Sequence, residues 1–93
     1  MTIGVLDIDL RIPGARSLKD KRRVVKGLKD RMRNRFNCAV AETSNPEHWG
    51  RAHLTVCVVS NEARHANDQL NKIVRFVECV RAAELEDYGI EML

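Results

Sequence analysis

Four basic side chains, Arg22, Lys26, Lys29 and Arg33, recur three or four residues apart, with Lys19 beside them. On a helix that spacing stacks them along one side, where ammonium and guanidinium groups can meet the phosphates of a polyanion. Arginine adds a planar fork suited to bidentate phosphate contact. Residues 11–35 hold eleven basic residues against only Asp20 and Asp30, a net of +9, whereas the rest of the chain holds five basic against eleven acidic, a net of −6. A formal net charge of +3 conceals this segregation, which marks a protein that presents one positive surface to a negatively charged polymer. With Arg16 and Arg23 added, the row forms the candidate nucleic-acid-binding set. A basic surface helix can also be merely solvated. Crowded like charges, however, cost a helix roughly a few tenths of a kcal/mol per i,i+4 pair, a penalty that solubility does not require.

A second candidate is an anion site at Gly14, Arg16 and Ser17, where backbone donors and the helix dipole converge. The Gly-x4-Gly-Lys-Ser/Thr spacing of a P-loop is missing. A turn with an N-cap serine accounts for Gly14 and Ser17 and leaves Arg16 unexplained. His48, His53 and His65 lack i,i+4 spacing and are read as having no carboxylates placed to work with them, so neither a metal nor a catalytic triad is expected. Cys38, Cys57 and Cys79 are an odd, widely spaced set, two of them within apolar strand patterns, which argues against a disulfide framework. Trp49 reads as a loop anchor, with its neighbours His48 and Arg51 keeping a stacking role open.

The elements that must position these groups follow from periodicity. Leu6, Ile8, Leu10 and Ile12 alternate with Val5, Asp7, Asp9 and Arg11, a period of two that predicts a first strand ended by Pro13 and Gly14. Ser17 followed by Asp20 is a helix-start signature, and the helix should run to about Phe36. Leu18, Val25, Leu28, Met32 and Phe36 form its core stripe, placing the cationic row nearly opposite. Lys21 falls inside that stripe, so its stem should lie on the sheet edge and its ammonium reach the helix end. Cys38 to Thr43 reads as a second strand, interrupted by Ser44, Asn45 and Pro46, and Ala52 to Val58 as a third, antiparallel to it. Ser60 or Asn61 should cap a second helix with an apolar stripe from Ala63 to Val80. Arg64, Asp68, Lys72, Arg75 and Glu78 make its solvated face, and Leu85 to Met92 supplies a last strand.

The order βαββαβ with right-handed crossovers predicts one α+β domain over residues 1–93. It is a ferredoxin-like two-layer sandwich, a four-stranded antiparallel sheet with both helices on one face. The opposite face, with Asp7, Asp9, His53, Thr55, Asp87 and Glu91, should be acidic and without aromatics. RNA could not stack there as on the sheet of an RNA-recognition domain, so it would have to meet the first helix. At 93 residues there is room for one core only. The amino-terminal run has no basic n-region and no apolar stretch long enough for a signal peptide or membrane span. A cytoplasmic location without membrane contact is therefore the expectation.

The run Pro13-Gly14-Ala15-Arg16-Ser17-Leu18-Lys19-Asp20-Lys21-Arg22-Arg23, then Arg33-Asn34-Arg35-Phe36-Asn37 and Val40-Ala41-Glu42, resembles the YlxP-like family of small bacterial proteins of unassigned function. So do Trp49-Gly50-Arg51-Ala52 and Val59-Ser60-Asn61-Glu62-Ala63-Arg64-His65, and the resemblance spans nearly the whole chain. It implies a ferredoxin-like fold and, because members are commonly encoded beside transcription and translation factors, an association with RNA or the ribosome. It implies no catalytic residues and no cofactor. The expectation is thus a non-enzymatic protein that binds RNA or a ribosomal surface through its first helix. The alternative is a protein-interaction or homodimerisation module using the bare sheet face. A lesser possibility is an acylphosphatase-like hydrolase, a domain of similar size and topology, in which Arg16 would hold the phosphoryl group and Asn37 a water. The short turn from Pro13 to Ser17 lacks the longer cradle that such chemistry needs.

Overall fold

In a computed structural model, which describes residues 1–44 and 47–93, the chain alternates strands and helices as its periodicity requires. The elements are β1 (Thr2–Arg11), α1 (Leu18–Arg35), β2 (Ala39–Ser44), β3 (Arg51–Ser60), α2 (Ala63–Glu78) and β4 (Glu84–Met92). The sheet has the order β2-β3-β1-β4 with every neighbouring pair antiparallel. This is the ferredoxin-like arrangement. The interruption expected at Asn45 and Pro46 lies outside the described residues.

Alternation within the strands builds the core. Leu6, Ile8 and Leu10 of β1 and Leu54, Val56 and Val58 of β3 point to the helical side and are buried, each burial worth roughly 1.5–3 kcal/mol. Val25, Leu28 and Met32 of α1 and Ala66, Leu70, Ile73, Val74 and Val77 of α2 close over them. α1 packs on β2, and α2 spans β1, β3 and β4. At Gly4 the sheet and α2 approach so closely that a Cβ would lie 2.9 Å from the Leu70 Cδ1.

Two local expectations change. The second helix starts later than the Ser60 or Asn61 cap would set, because β3 runs on through Ser60. Glu62 occupies the cap position without a side-chain cap bond, and the Ser60 hydroxyl accepts from the Glu62 N–H at 3.2 Å. Ala63 is accordingly exposed, and the buried stripe begins at Ala66.

Lys21 is the other. Its side chain is wholly buried, and its ammonium does not travel to the helix end but meets the Glu42 carboxylate of β2 at 2.5 Å. Glu42 stands opposite Leu54 in the β2–β3 ladder and therefore points inward beneath α1. An inward-facing charge on an edge strand discourages pairing with another chain, and Lys21 supplies the counter-charge.

Candidate nucleic-acid interface

Local chemistry sets the start of α1. The Ser17 hydroxyl accepts from the Asp20 N–H at 3.1 Å, and the Asp20 carboxylate accepts in return from the Arg16 N–H at 3.1 Å. The expected anion site at Gly14, Arg16 and Ser17 thus has its Arg16 amide and Ser17 hydroxyl engaged within the chain, with a carboxylate in front of them. The Arg16 guanidinium itself enters no ion pair among the described residues. Asn37, its supposed partner in a hydrolase, follows the C-cap Phe36. The 18-residue helix between them is about 27 Å long, so the two cannot hold one phosphoryl group and its water.

Along α1, Lys19, Arg22, Arg23, Lys26 and Arg33 are exposed and Lys29 is half-buried. The row does not stand opposite the core. Arg22, Lys26, Lys29 and Arg33 line a groove on the flank toward β2, with Glu42 on its far wall. An Arg33 N–H crosses that groove to the Val40 carbonyl at 3.0 Å. Asp30 interrupts the positive charge, taking Lys26 at 2.9 Å and Arg33 at 3.5 Å. The hydrogen bond from Lys26, helped by the charges of Lys26, Arg33 and Lys29, holds the Asp30 carboxyl below the usual carboxylate range. Among the described residues, Lys19, Arg22, Arg23 and Lys29 enter no ion pair. The cationic surface is therefore partly internally compensated at Lys26 and Arg33 and open at the other four.

The bare sheet face divides into two ends. Asp7 and Asp9 of β1 face Thr55 and His53 of β3, and Asp87 of β4 lies beyond Asp9. Contrary to the expectation that no histidine has carboxylates close by, His53 sits between two: Nδ1 is 2.6 Å from the Asp9 Oδ1 and Nε2 is 3.1 Å from the Asp7 Oδ1. The Thr55 hydroxyl donates to the same Asp7 oxygen at 2.8 Å. Antiparallel register makes this cluster, which proximity in sequence does not show; the usable signal was the shared outward parity of Asp7 and Asp9 with His53 and Thr55. Among the described residues no group of His, Cys, Asp and Glu is placed to hold a metal ion.

Toward the other end Val5 lies opposite Cys57 and Ile3 opposite Val59, the last of these 67% exposed, and Glu91 of β4 flanks Val5 on its other side. The face expected to be acidic thus also carries an apolar patch of Ile3, Val5, Cys57 and Val59. Trp49 is 51% exposed beside Arg11, Pro13 and Arg51, more open to solvent than a packed loop anchor. Burial raises the pKa of the Cys38 thiol, against the pull of Arg33. No helix is long and apolar enough to cross a membrane among the described residues.

Comparison with known proteins bears on the whole chain. Residues 3–90 match the model of a family described as "Protein of unknown function (DUF503)". Over 76 residues the chain is 29% identical to the "Uncharacterized protein YlxP" of Bacillus subtilis (strain 168), covering 82% of this chain and 83% of that protein.

Proposed function

We propose, for a chain that belongs to the DUF503 family of proteins of unknown function, that it is a non-enzymatic binding protein whose first helix docks on RNA or an RNA-bearing ribosomal surface in the cytoplasm. The observation that carries this reading is the set of α1 cations that enter no ion pair among the described residues, Lys19, Arg22, Arg23 and Lys29, on a molecule otherwise net negative. Arg16, Lys26 and Arg33 extend the row, the last two at reduced effective charge because Asp30 lies between them. Contacts to phosphate position a protein without reading bases, so modest sequence preference and steep salt dependence follow. The test is purification from cells at low and at high salt with sequencing of any bound nucleic acid. RNA recovered at low salt and lost at high salt supports the reading; a salt-resistant protein partner without RNA contradicts it.

The apolar patch on the bare sheet favours a second reading, self-association through Val5, Cys57 and Val59. Sedimentation of the protein beside its Val59→Lys variant decides it. A dimer that the substitution dissolves supports this reading, and a monomer at all concentrations removes it.

A further inference from the structure

Both phenylalanines of the chain meet at one place. Phe36, the C-cap of α1, and Phe76, near the end of α2, stand edge to face with ring centroids 5.9 Å apart. The Arg35 guanidinium carbon lies 5.4 Å from the centre of the Phe76 ring. Two depressions adjoin there and share Arg35 and Phe76: Arg31 and Asn34 of α1 border one, and Phe36, Lys72 and Arg75 border the other. Together the two are lined by four cations and, among the described residues, by no carboxylate. Among the described residues none of the four enters an ion pair.

Packing alone explains part of this. An arginine laid over a half-buried ring covers apolar surface and gains a cation–π contact, which accounts for Arg35. It does not account for Arg31, Lys72 and Arg75, which border the two depressions that share this ring. A guanidinium plane held on an aromatic ring, beside three further cations, is a combination that single-stranded nucleic acids use, the stacked plane for a base and the cations for the backbone.

We propose that these adjoining depressions between the helices receive one nucleotide of a single-stranded RNA. Its base stacks on the Arg35 guanidinium that Phe76 holds in place, and its phosphates meet Arg31 on one side or Lys72 and Arg75 on the other. The assignment rests on the RNA reading of α1 for the identity of the polymer and adds to it a contact on the helix's other flank. Duplex RNA is not accommodated, because its bases are stacked on one another and present no free face. Base stacking is tolerant of sequence, so the pocket selects strandedness rather than sequence.

The experiment measures binding of a labelled single-stranded oligoribonucleotide and of a duplex RNA by fluorescence anisotropy, for the protein and two variants. Phe76→Leu keeps an apolar side chain against Phe36 and removes the π face; Lys72→Ala with Arg75→Ala removes two cations from the exposed side of α2. Each is expected to weaken single-strand binding about tenfold while leaving duplex binding within about twofold. Unchanged single-strand binding in both variants overturns the pocket, and the α1 reading then stands if Arg22→Glu, Arg23→Glu and Lys29→Glu together still abolish binding. Equal loss of both RNA forms also overturns it. Wild-type protein that binds neither form overturns the pocket and the α1 reading together. Adenosine monophosphate competing as well as the strand overturns the polymer assignment in favour of a free nucleotide.

Discussion

His53 and Asp9 face each other across β3 and β1 with Nδ1 and Oδ1 2.6 Å apart, and the other ring nitrogen points at Asp7. Both ring nitrogens can donate only in the imidazolium form. The Asp9 hydrogen bond is the largest influence on this histidine and, with Asp7, raises its pKa over the opposing effect of burial. A group whose pKa is higher folded than unfolded contributes stability in full below its ordinary value, about 6.5, and loses it as pH rises through the raised value. Urea midpoints should therefore fall as pH is raised across neutrality, and His53→Gln should flatten that part of the profile. An NMR titration of His53 with a midpoint at or below the ordinary value contradicts this.

Lys21 and Glu42 tie α1 to the edge strand from inside. Removing one member of a buried pair leaves a charge out of water, at a cost of about 3 kcal/mol. Glu42→Gln should cost about that much, since the Lys21 ammonium is fully buried. Lys21→Met should cost less, because Glu42 keeps 15% of its side chain in solvent. Equilibrium denaturation of the two variants gives the order directly, and equal losses would show that the carboxylate does not relax toward water.

Ser17→Ala removes the acceptor of the Asp20 N–H and should lower stability by about 1 kcal/mol. Helix content in the folded protein should stay unchanged, since the core stripe of α1 is untouched. Thermal melts followed by circular dichroism measure both.

Arg33 and Arg23 distinguish anchoring from display. Arg33 donates to the Val40 carbonyl and neighbours Asp30, so Arg33→Ala should cost about 1 kcal/mol. Arg23 is exposed without an ion pair among the described residues, and Arg23→Ala should stay within about 0.5 kcal/mol. Equal stability losses would show that the groove-crossing bond contributes nothing.

What the sequence made legible is what lies within single elements. The alternation from Leu6 to Ile12, the Ser17–Asp20 start signal and the stripe through Val25, Leu28 and Met32 each report a local period, and each survives in the structure. What it hid depends on how elements meet. Lys21 stood out as an anomaly in the α1 stripe, but only the inward side of β2 reveals Glu42 as its partner. The His53 cluster needs the β1–β3 register, and the Phe36–Phe76 contact needs the docking of α1 on α2, whose outer face reads as merely solvated. The cationic row was visible as a row; its tilt toward β2 and the two compensations by Asp30 were not.

The salt dependence of RNA binding measures the number of phosphates that α1 engages. Log affinity should fall linearly with log salt, and replacing Arg22, Arg23 and Lys29 together by alanine should make that slope shallower by about 2, near 0.7 for each lost contact to a single strand. Arg64→Ala, on the exposed face of α2, should leave it unchanged. A slope that is the same in the triple variant and in the unsubstituted protein contradicts the account.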